Sequence, residues 1–322
     1  MIKVGLVLGA GGVVGQAYHA GVLAALEQDL GWDPRTADVI VGSSAGSVTG
    51  TLLRLGVPAS DLASYAVESP LSPGGASILD RLVVTAPFPP LGLRSLLRPW
   101  RPPSPRLLAR VARRPWAFRP DVAAITMLPA GTIDITDRAD RLTDLVGEEW
   151  PEGLWICAVR RDDGSRTVFG RPGSPPAPLA SAVASSCAIP GYFAPVRING
   201  VEYMDGGVHS PTNAAILRGL DLDLVIVVSP MSAVLGRAGG PGGLLRLSAH
   251  RRLDAEVRAL REAGTSVVRF EPGPASLRVM GINAMADDRG DRVVQEAYLE
   301  AGAYAATGRI RGRLEAVVRA RR

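Results

Sequence analysis

The residues with the plainest chemical reading are Gly42-Ser43-Ser44-Ala45-Gly46. A serine hydroxyl becomes an acyl-transfer nucleophile when a sharp turn lifts it above a sheet edge, and G-x-S-x-G places glycines where a Cβ would clash. The five residues are common enough by chance that the weight rests on their context. Asp38 to Val41 reads as a short buried strand and Ser47 to about Leu55 as a helix. The helix would point its positive end at Ser44, favouring negative charge that develops there. A second candidate is the run Gly9-Ala10-Gly11-Gly12-Val13-Val14-Gly15, between a strand at Ile2 to Leu8 and a helix at Ala17 to Gln28. It has three readings: a pyrophosphate cradle at a helix N-terminus, a set of backbone donors for an oxyanion, or a plain tight turn. The dinucleotide fingerprint fits poorly. Its third glycine, Gly15, arrives one residue late, and the second strand ends in the serine turn rather than in an acidic residue. The oxyanion reading fits better because a nucleophile follows at once. The third candidate, Met204-Asp205-Gly206-Gly207, ends a hairpin strand. A carboxylate followed by two glycines can approach another backbone closely, although an aspartate in a turn is by itself the commoner reading.

The elements that must position these groups alternate in type. Strand, glycine turn and helix occur twice in the first 55 residues, which is the pattern of a parallel α/β sheet. A strand at Leu154 to Arg160 enters a hairpin through Asp163-Gly164, and Ala180 to Ser186 reads as a helix of small residues. A second hairpin, Val196 to Met204, turns at Asn199-Gly200, a strong type I′ signal. Leu222 to Ser229 is the most hydrophobic strand, Gly236 to Gly243 a flexible link, Thr265 to Phe270 a last strand, and helix runs from about Val293 to the end. There is no internal repeat.

Composition narrows the class. At 322 residues, 47% of them apolar, the chain can bury one large α/β core. The net charge of +5 is almost all arginine, since Lys3 is the only lysine. With no basic helix interleaved with stacking aromatics, this charge is not read as nucleic-acid binding. Cys157 and Cys187 read as buried thiols, and with three scattered histidines they form neither a disulfide framework nor a metal-ligand spacing. No metal and no cofactor is expected. No run of 18 apolar residues occurs, and a cleaved leader would destroy the glycine loop. The expected location is cytoplasmic, at most peripheral to a membrane. The stretch Arg81 to Pro120 stands apart, with nine arginines, many prolines, Trp100 and Trp116, and no acidic residue. It is either a surface insertion or a lid that meets anionic lipid.

Taken in order, Leu8-Gly9-Ala10-Gly11-Gly12-Val13-Val14-Gly15, Gly42-Ser43-Ser44-Ala45-Gly46 and Asp205-Gly206-Gly207 resemble the patatin-like phospholipase family. So do Ala20-Gly21-Val22-Leu23 and the stretch from Ala184 to Phe193. The resemblance covers residues 1 to about 55 and 180 to 230, and is thin between 60 and 150 and at the C-terminus. It implies a three-layer α/β/α sandwich with a mostly parallel central sheet and an Arg/Pro-rich insertion. One domain would span residues 1–322, with a cap or lid at about 60–150 and a C-terminal helical extension at about 289–322. It implies a lipid acyl hydrolase with a Ser–Asp dyad: Ser44 as nucleophile, Asp205 as the proton acceptor, and amides of Gly11, Gly12 and Val13 holding the oxyanion. Gly9, Gly15, Gly42, Gly46, Gly206 and Gly207 would support the turns. Ala10 stands where the family loop has its first glycine and Val14 where it has a basic residue, and the following helix carries one extra residue near Gln16.

Three other classes stay open at this point. An α/β-hydrolase triad would need His209 or His250, of which His209 reads as an incidental turn residue and His250 as solvated on a polar helix. A lipid-binding protein of the same fold would lack turnover, and a nicotinamide-dependent oxidoreductase would use the glycine loop. The motifs do not choose among phospholipid, lysophospholipid, triglyceride and thioester.

Overall fold

The structure, a computed structural model, describes residues 2–82, 109, 112–113, 122, 125–126, 130–131, 133–146, 149–233 and 242–321. Most of the stretch 81–120 and the link 236–241 therefore lie outside the described residues.

The chain is a mixed α/β fold around a mostly parallel sheet. In chain order the elements are β1 (Val4–Leu8), α1 (Gly12–Gln28), β2 (Val39–Ser43), α2 (Ala45–Arg54), α3 (Ala59–Ala66) and α4 (Pro73–Leu82). There follow α5 (Thr136–Val146), β3 (Leu154–Arg160), β4 (Arg166–Phe169), α6 (Leu179–Ser186), β5 (Val196–Ile198) and β6 (Val201–Asp205). The chain ends with β7 (Leu224–Val228), α7 (Gly243–Glu262), β8 (Ser266–Phe270), α8 (Pro274–Met280), α9 (Gly290–Ala305) and α10 (Gly308–Arg321). Strands β3, β2, β1, β7 and β8 run parallel in that spatial order, and β4, β5 and β6 are antiparallel additions at the β3 end.

The sandwich follows from strands that are apolar on both faces. Side chains alternate sides along a strand. Val4, Leu6 and Leu8 of β1 enter one core with Leu224, Ile226 and Val228 of β7. Val7, Val225 and Val227 enter the other, beneath Leu253, Val257 and Leu260 of α7. Helices α1, α2, α6 and α9 cover the first face. The hairpin at Asn199-Gly200 forms as its residues dictate, both with positive φ, 48° and 79°.

Two boundaries differ from the sequence reading. The first helix begins at Gly12 rather than Ala17, because Gly12 takes the positive φ and the rest of the glycine run already forms the first turn. The second helix begins at Ala45 rather than Ser47, directly after the serine. At the C-terminus the helix is in two pieces. Val293, Val294, Ala297 and Ala301 of α9 are buried in the first core, packed on α1.

The α1–α9 crossing depends on Gly21. A Cβ there would sit 2.4 Å from the Val294 carbonyl oxygen and 2.8 Å from the Ala297 Cβ. Alanine gains about 1 kcal/mol of helix propensity over glycine, but overpacking against backbone this close costs about 2–3 kcal/mol, the upper part of the usual range. Gly21→Ala is therefore expected to lower unfolding free energy by about 1–2 kcal/mol in urea titration. An unchanged or raised midpoint would show that the helices can separate without cost.

Candidate active site

Strand β3 brings the serine and the aspartate together. Its residues Ile156–Val159 pair with β4 along one edge. The opposite edge is shared end to end by two strands. Strand β2 occupies it up to Ser43, opposite Cys157, and β6 occupies it from the other direction, ending with Asp205 opposite Ala158. The chain thus leaves β2 at Ser44 where β6 arrives at Asp205.

The turn at Ser44 is tight. Its φ is 52° and its ψ −121°, a strained conformation for a residue with a Cβ. The flanking glycines are required by close approach: a Cβ on Gly42 would lie 2.6 Å from the Gly46 oxygen, and one on Gly46 1.9 Å from the Leu8 oxygen. Hydrogen bonds hold the turn on both sides. The Ser44 amide donates to Ser186 Oγ at 2.9 Å, and that hydroxyl donates to the Cys157 carbonyl at 2.7 Å. The Ser44 carbonyl accepts from the Ser47 amide and hydroxyl at 2.8 and 2.7 Å.

Asp205 is buried, and its carboxylate accepts a hydrogen bond from the Gly207 amide at 2.7 Å. Burial pushes the carboxyl up to about 6, against the lowering effect of the nearby Ser44 side chain and the Gly207 amide. Its own amide donates to the Ala188 carbonyl at 3.0 Å. A Cβ on Gly206 would meet the Cys157 oxygen at 2.1 Å, and one on Gly207 the Ala10 methyl at 2.9 Å. The two glycines therefore let the aspartate turn lie between β3 and the glycine loop.

In that loop Gly9 and Ala10 spend their amides on the carbonyls of Val228 and Pro211, and Val14 donates to Ala284. Among the described residues the amides of Gly11, Gly12 and Val13 have no protein acceptor. They sit at the positive end of α1, whose first turn carries no acidic residue. Gly12 has φ 62°, and a Cβ on it would strike the Ala284 oxygen at 2.5 Å. Val14 is buried in the core, which accounts for an apolar residue there, and the Ala10 methyl is accommodated beside Gly207.

A cavity of about 260 Å³ opens over Ser44, with Gly12 and Val13 in its wall. Gly11 lies behind this wall, against Pro230. The remaining lining is mainly apolar, and Leu82, Ile135 and Leu142 bring part of it from the region where the sequence carried no motif. Cys187 also lines it, with its thiol pushed up to about 12 by burial, so it is no competing nucleophile at neutral pH.

None of the three histidines lines the cavity. His19 is fully buried, 3.3 Å from Thr49 Oγ1, and burial lowers it to about 3. His250 is not solvated as the polar helix suggested. It lies 2.7 Å from Glu271 and 3.3 Å from Asp254, because β8 ends beside α7 and brings the glutamate across. Sequence reasoning gave no role to Ser186, although it lies in a stretch that carried the resemblance. It missed Asn213 altogether. Among the described residues no group of three or more His, Cys, Asp or Glu could hold a metal ion, and no helix is long and apolar enough to cross a membrane.

A parallel sheet that turns a buried serine over a strand end onto a carboxylate, under an apolar cavity, defines a class of α/β proteins of hydrolase architecture. The patatin-like phospholipase family model matches residues 6–218, well over half of the chain, and the protein belongs to that family. Uncharacterized NTE family proteins of Mycobacterium tuberculosis and Mycobacterium bovis are 31% identical over 242 residues, covering 73% of this chain and 51% of theirs. The chain thus spans about half the length of these curated relatives. Among solved structures it is similar to VipD of Legionella pneumophila, with a TM-score of 0.43 and 14% identity over 93% of this chain and 66% of that one. The ExoU–SpcU complex of Pseudomonas aeruginosa gives 0.34 and 20% over 94% and 51%.

The raised Asp205 has a thermodynamic consequence. Between its ordinary value of 3.8 and about 6 the folded chain holds a proton that the unfolded chain has released. Stability therefore falls as pH rises through that window, and the full cost, about 3 kcal/mol, applies above it. Asp205→Asn is expected to be more stable than wild type by about 2–3 kcal/mol at pH 7.5, a gap that closes towards pH 4 in urea titrations. A variant of equal stability at both pH values would contradict the buried charge.

Proposed function

We propose that the protein is a lipid acyl hydrolase that cleaves carboxylic esters through an acyl-enzyme on Ser44. The observation that carries this reading is the placement of Ser44 at the end of β2 beside the buried Asp205 at the end of β6, under an apolar cavity. In the first half-reaction Ser44 Oγ bonds to the ester carbonyl carbon and its proton passes to Asp205. The carbonyl oxygen takes the negative charge and is met by amides of Gly12 and Val13, with Gly11 beside them. Each such donor lowers the barrier by about 3 kcal/mol. Collapse expels the alcohol, which takes the proton from Asp205. Water then attacks the acyl-serine, Asp205 accepts its proton, and the serine is restored when that proton returns.

The cavity wall favours a fatty acyl chain over a polar one, since burying each methylene is worth about 0.8 kcal/mol. In this reading the chain is cytoplasmic and takes its ester from a membrane face. A histidine base has less support, because His250 is engaged by Glu271 and none of the histidines borders the cavity.

The test uses p-nitrophenyl butyrate and a fluorophosphonate probe. Wild type should hydrolyse the ester and take up the probe, and Ser44→Ala should lose both, with a fall in kcat on the order of a million-fold. Rate should rise with pH through about 6 as Asp205 sheds its proton. A double variant, His209→Ala with His250→Ala, should keep that profile. Activity in Ser44→Ala within tenfold of wild type refutes the nucleophile, and loss of activity in the histidine double variant refutes the dyad.

A further inference from the structure

The junction of β2 and β6 on the edge of β3 has no main-chain ladder across it, since the two strands meet end to end. Among the described residues the Asn213 side chain spans it. Asn213 is fully buried and follows the aspartate turn, with a left-handed φ of 54°. Its Nδ2 lies 2.9 Å from Ser43 Oγ, 3.1 Å from the Gly206 carbonyl and 2.8 Å from the Ser210 carbonyl, so its two protons are shared among three acceptors. Ser43 precedes Ser44 and Gly206 follows Asp205. The orientation of the amide is fixed from the other end, where Oδ1 accepts from Arg166 Nη1 of β4 at 3.0 Å. The backbone around it is clamped as well. The Glu256 carboxylate of α7 accepts from the Thr212 hydroxyl and from the Ala214 amide at 2.9 Å, the residues on either side of Asn213. Ser210 Oγ accepts the Asn213 amide at 3.1 Å.

We infer that Asn213 is the positioning residue of the proposed dyad: through one carboxamide it ties the residue before Ser44 to the residue after Asp205. This rests on the hydrolase reading of the site. The physical reason is that neither group can set the distance alone. Strand β3 and the Ser186–Ala188 segment hold both strand ends, Ser44 through its amide to Ser186 and Asp205 through its amide to the Ala188 carbonyl, but these bonds fix the backbone from outside the junction and not across it. A proton passes between them only at hydrogen-bond separation, and a displacement of about 1 Å in such geometry costs on the order of a hundredfold in rate. Asn213 touches neither the cavity nor the reacting atoms, so it acts on the proton-transfer distance and leaves ester binding alone.

Asn213→Gly removes the carboxamide and suits the left-handed backbone, which avoids a folding defect from strain. The expected result is a kcat for p-nitrophenyl butyrate lowered about 10- to 100-fold with KM within twofold. The acid limb of the pH–rate profile should move, and fluorophosphonate labelling should slow in parallel. Arg166→Met, which leaves Asn213 in place but frees its oxygen, should shift the same readouts by a smaller factor. Wild-type kcat and pH profile in folded Asn213→Gly overturn the inference. So does a loss that follows unfolding alone, with folded Arg166→Met kinetically unchanged. Wild-type protein that neither hydrolyses the ester nor labels refutes the hydrolase reading itself, and the inference falls with it. An active wild type beside unaffected variants removes only the role of Asn213.

Discussion

One edge of strand β3 is filled by two strands arriving from opposite directions, and the rest of the site depends on that arrangement. Parallel β2 stops at Ser43 opposite Cys157, and antiparallel β6 stops at Asp205 opposite Ala158. A sheet edge supplies a fixed spacing of backbone donors and acceptors, so two strands that consume adjacent positions must end within one residue of each other. The serine and the aspartate, 161 positions apart in the chain, are thereby placed side by side. Everything near the junction serves to turn the chain away from it on both sides. Gly42 and Gly46 let β2 fold sharply back into α2, and Gly206 lets the aspartate turn pass within van der Waals reach of the Cys157 carbonyl.

The same placement creates a burden. Asp205 and Glu256 are both buried carboxylates raised by loss of water, and the junction also holds Ser43, Ser186, Thr212 and Asn213, all buried. Buried polar groups are tolerated only when they are bonded. Glu256 accepts from the Thr212 hydroxyl and the Ala214 amide, whereas Asp205 accepts from the Gly207 amide alone among the described hydrogen bonds. The more fully bonded carboxylate is the one that holds backbone in place. The less fully bonded one faces the hydroxyl, which is the arrangement expected where strain is retained for chemistry.

The glycine loop meets this junction from β1. Its early amides are consumed by β7 and by Pro211, and Val14 is consumed by Ala284, so among the described residues the amides left open are those of Gly11, Gly12 and Val13, of which Gly12 and Val13 share the cavity with Ser44. The loop is held by carbonyls from distant segments on either side. That explains why the side chains of Ala10 and Val14 can depart from the family pattern: both are absorbed by packing, Ala10 against Gly207 and Val14 in the core, while the backbone geometry is set by hydrogen bonds.

Much of this was legible in the sequence, for a local reason. Continuous apolar runs in β1, β3 and β7, glycines at turns that exclude a Cβ, and the Asn199-Gly200 hairpin depend on residues adjacent in the chain. Element types and the parallel sheet could therefore be read directly, as could the turns bearing Ser44 and Asp205. Even the misplaced helix start had a local cause, since a glycine run hides a first turn that Gly12 makes at positive φ. Only the tertiary structure decided what those turns meet. Nothing around Asn213 marks it as more than a loop residue, because its partners come from β2, β4 and the aspartate turn. His250 looked solvated because Glu271 is 21 residues away and reaches it only across the β8–α7 packing. The apolar cavity draws on Leu82, Ile135 and Leu142, which share no pattern in the chain. Sequence determines the conformations that a few neighbouring residues can adopt. Which distant groups share a buried bond is settled by how the strands divide one edge of β3.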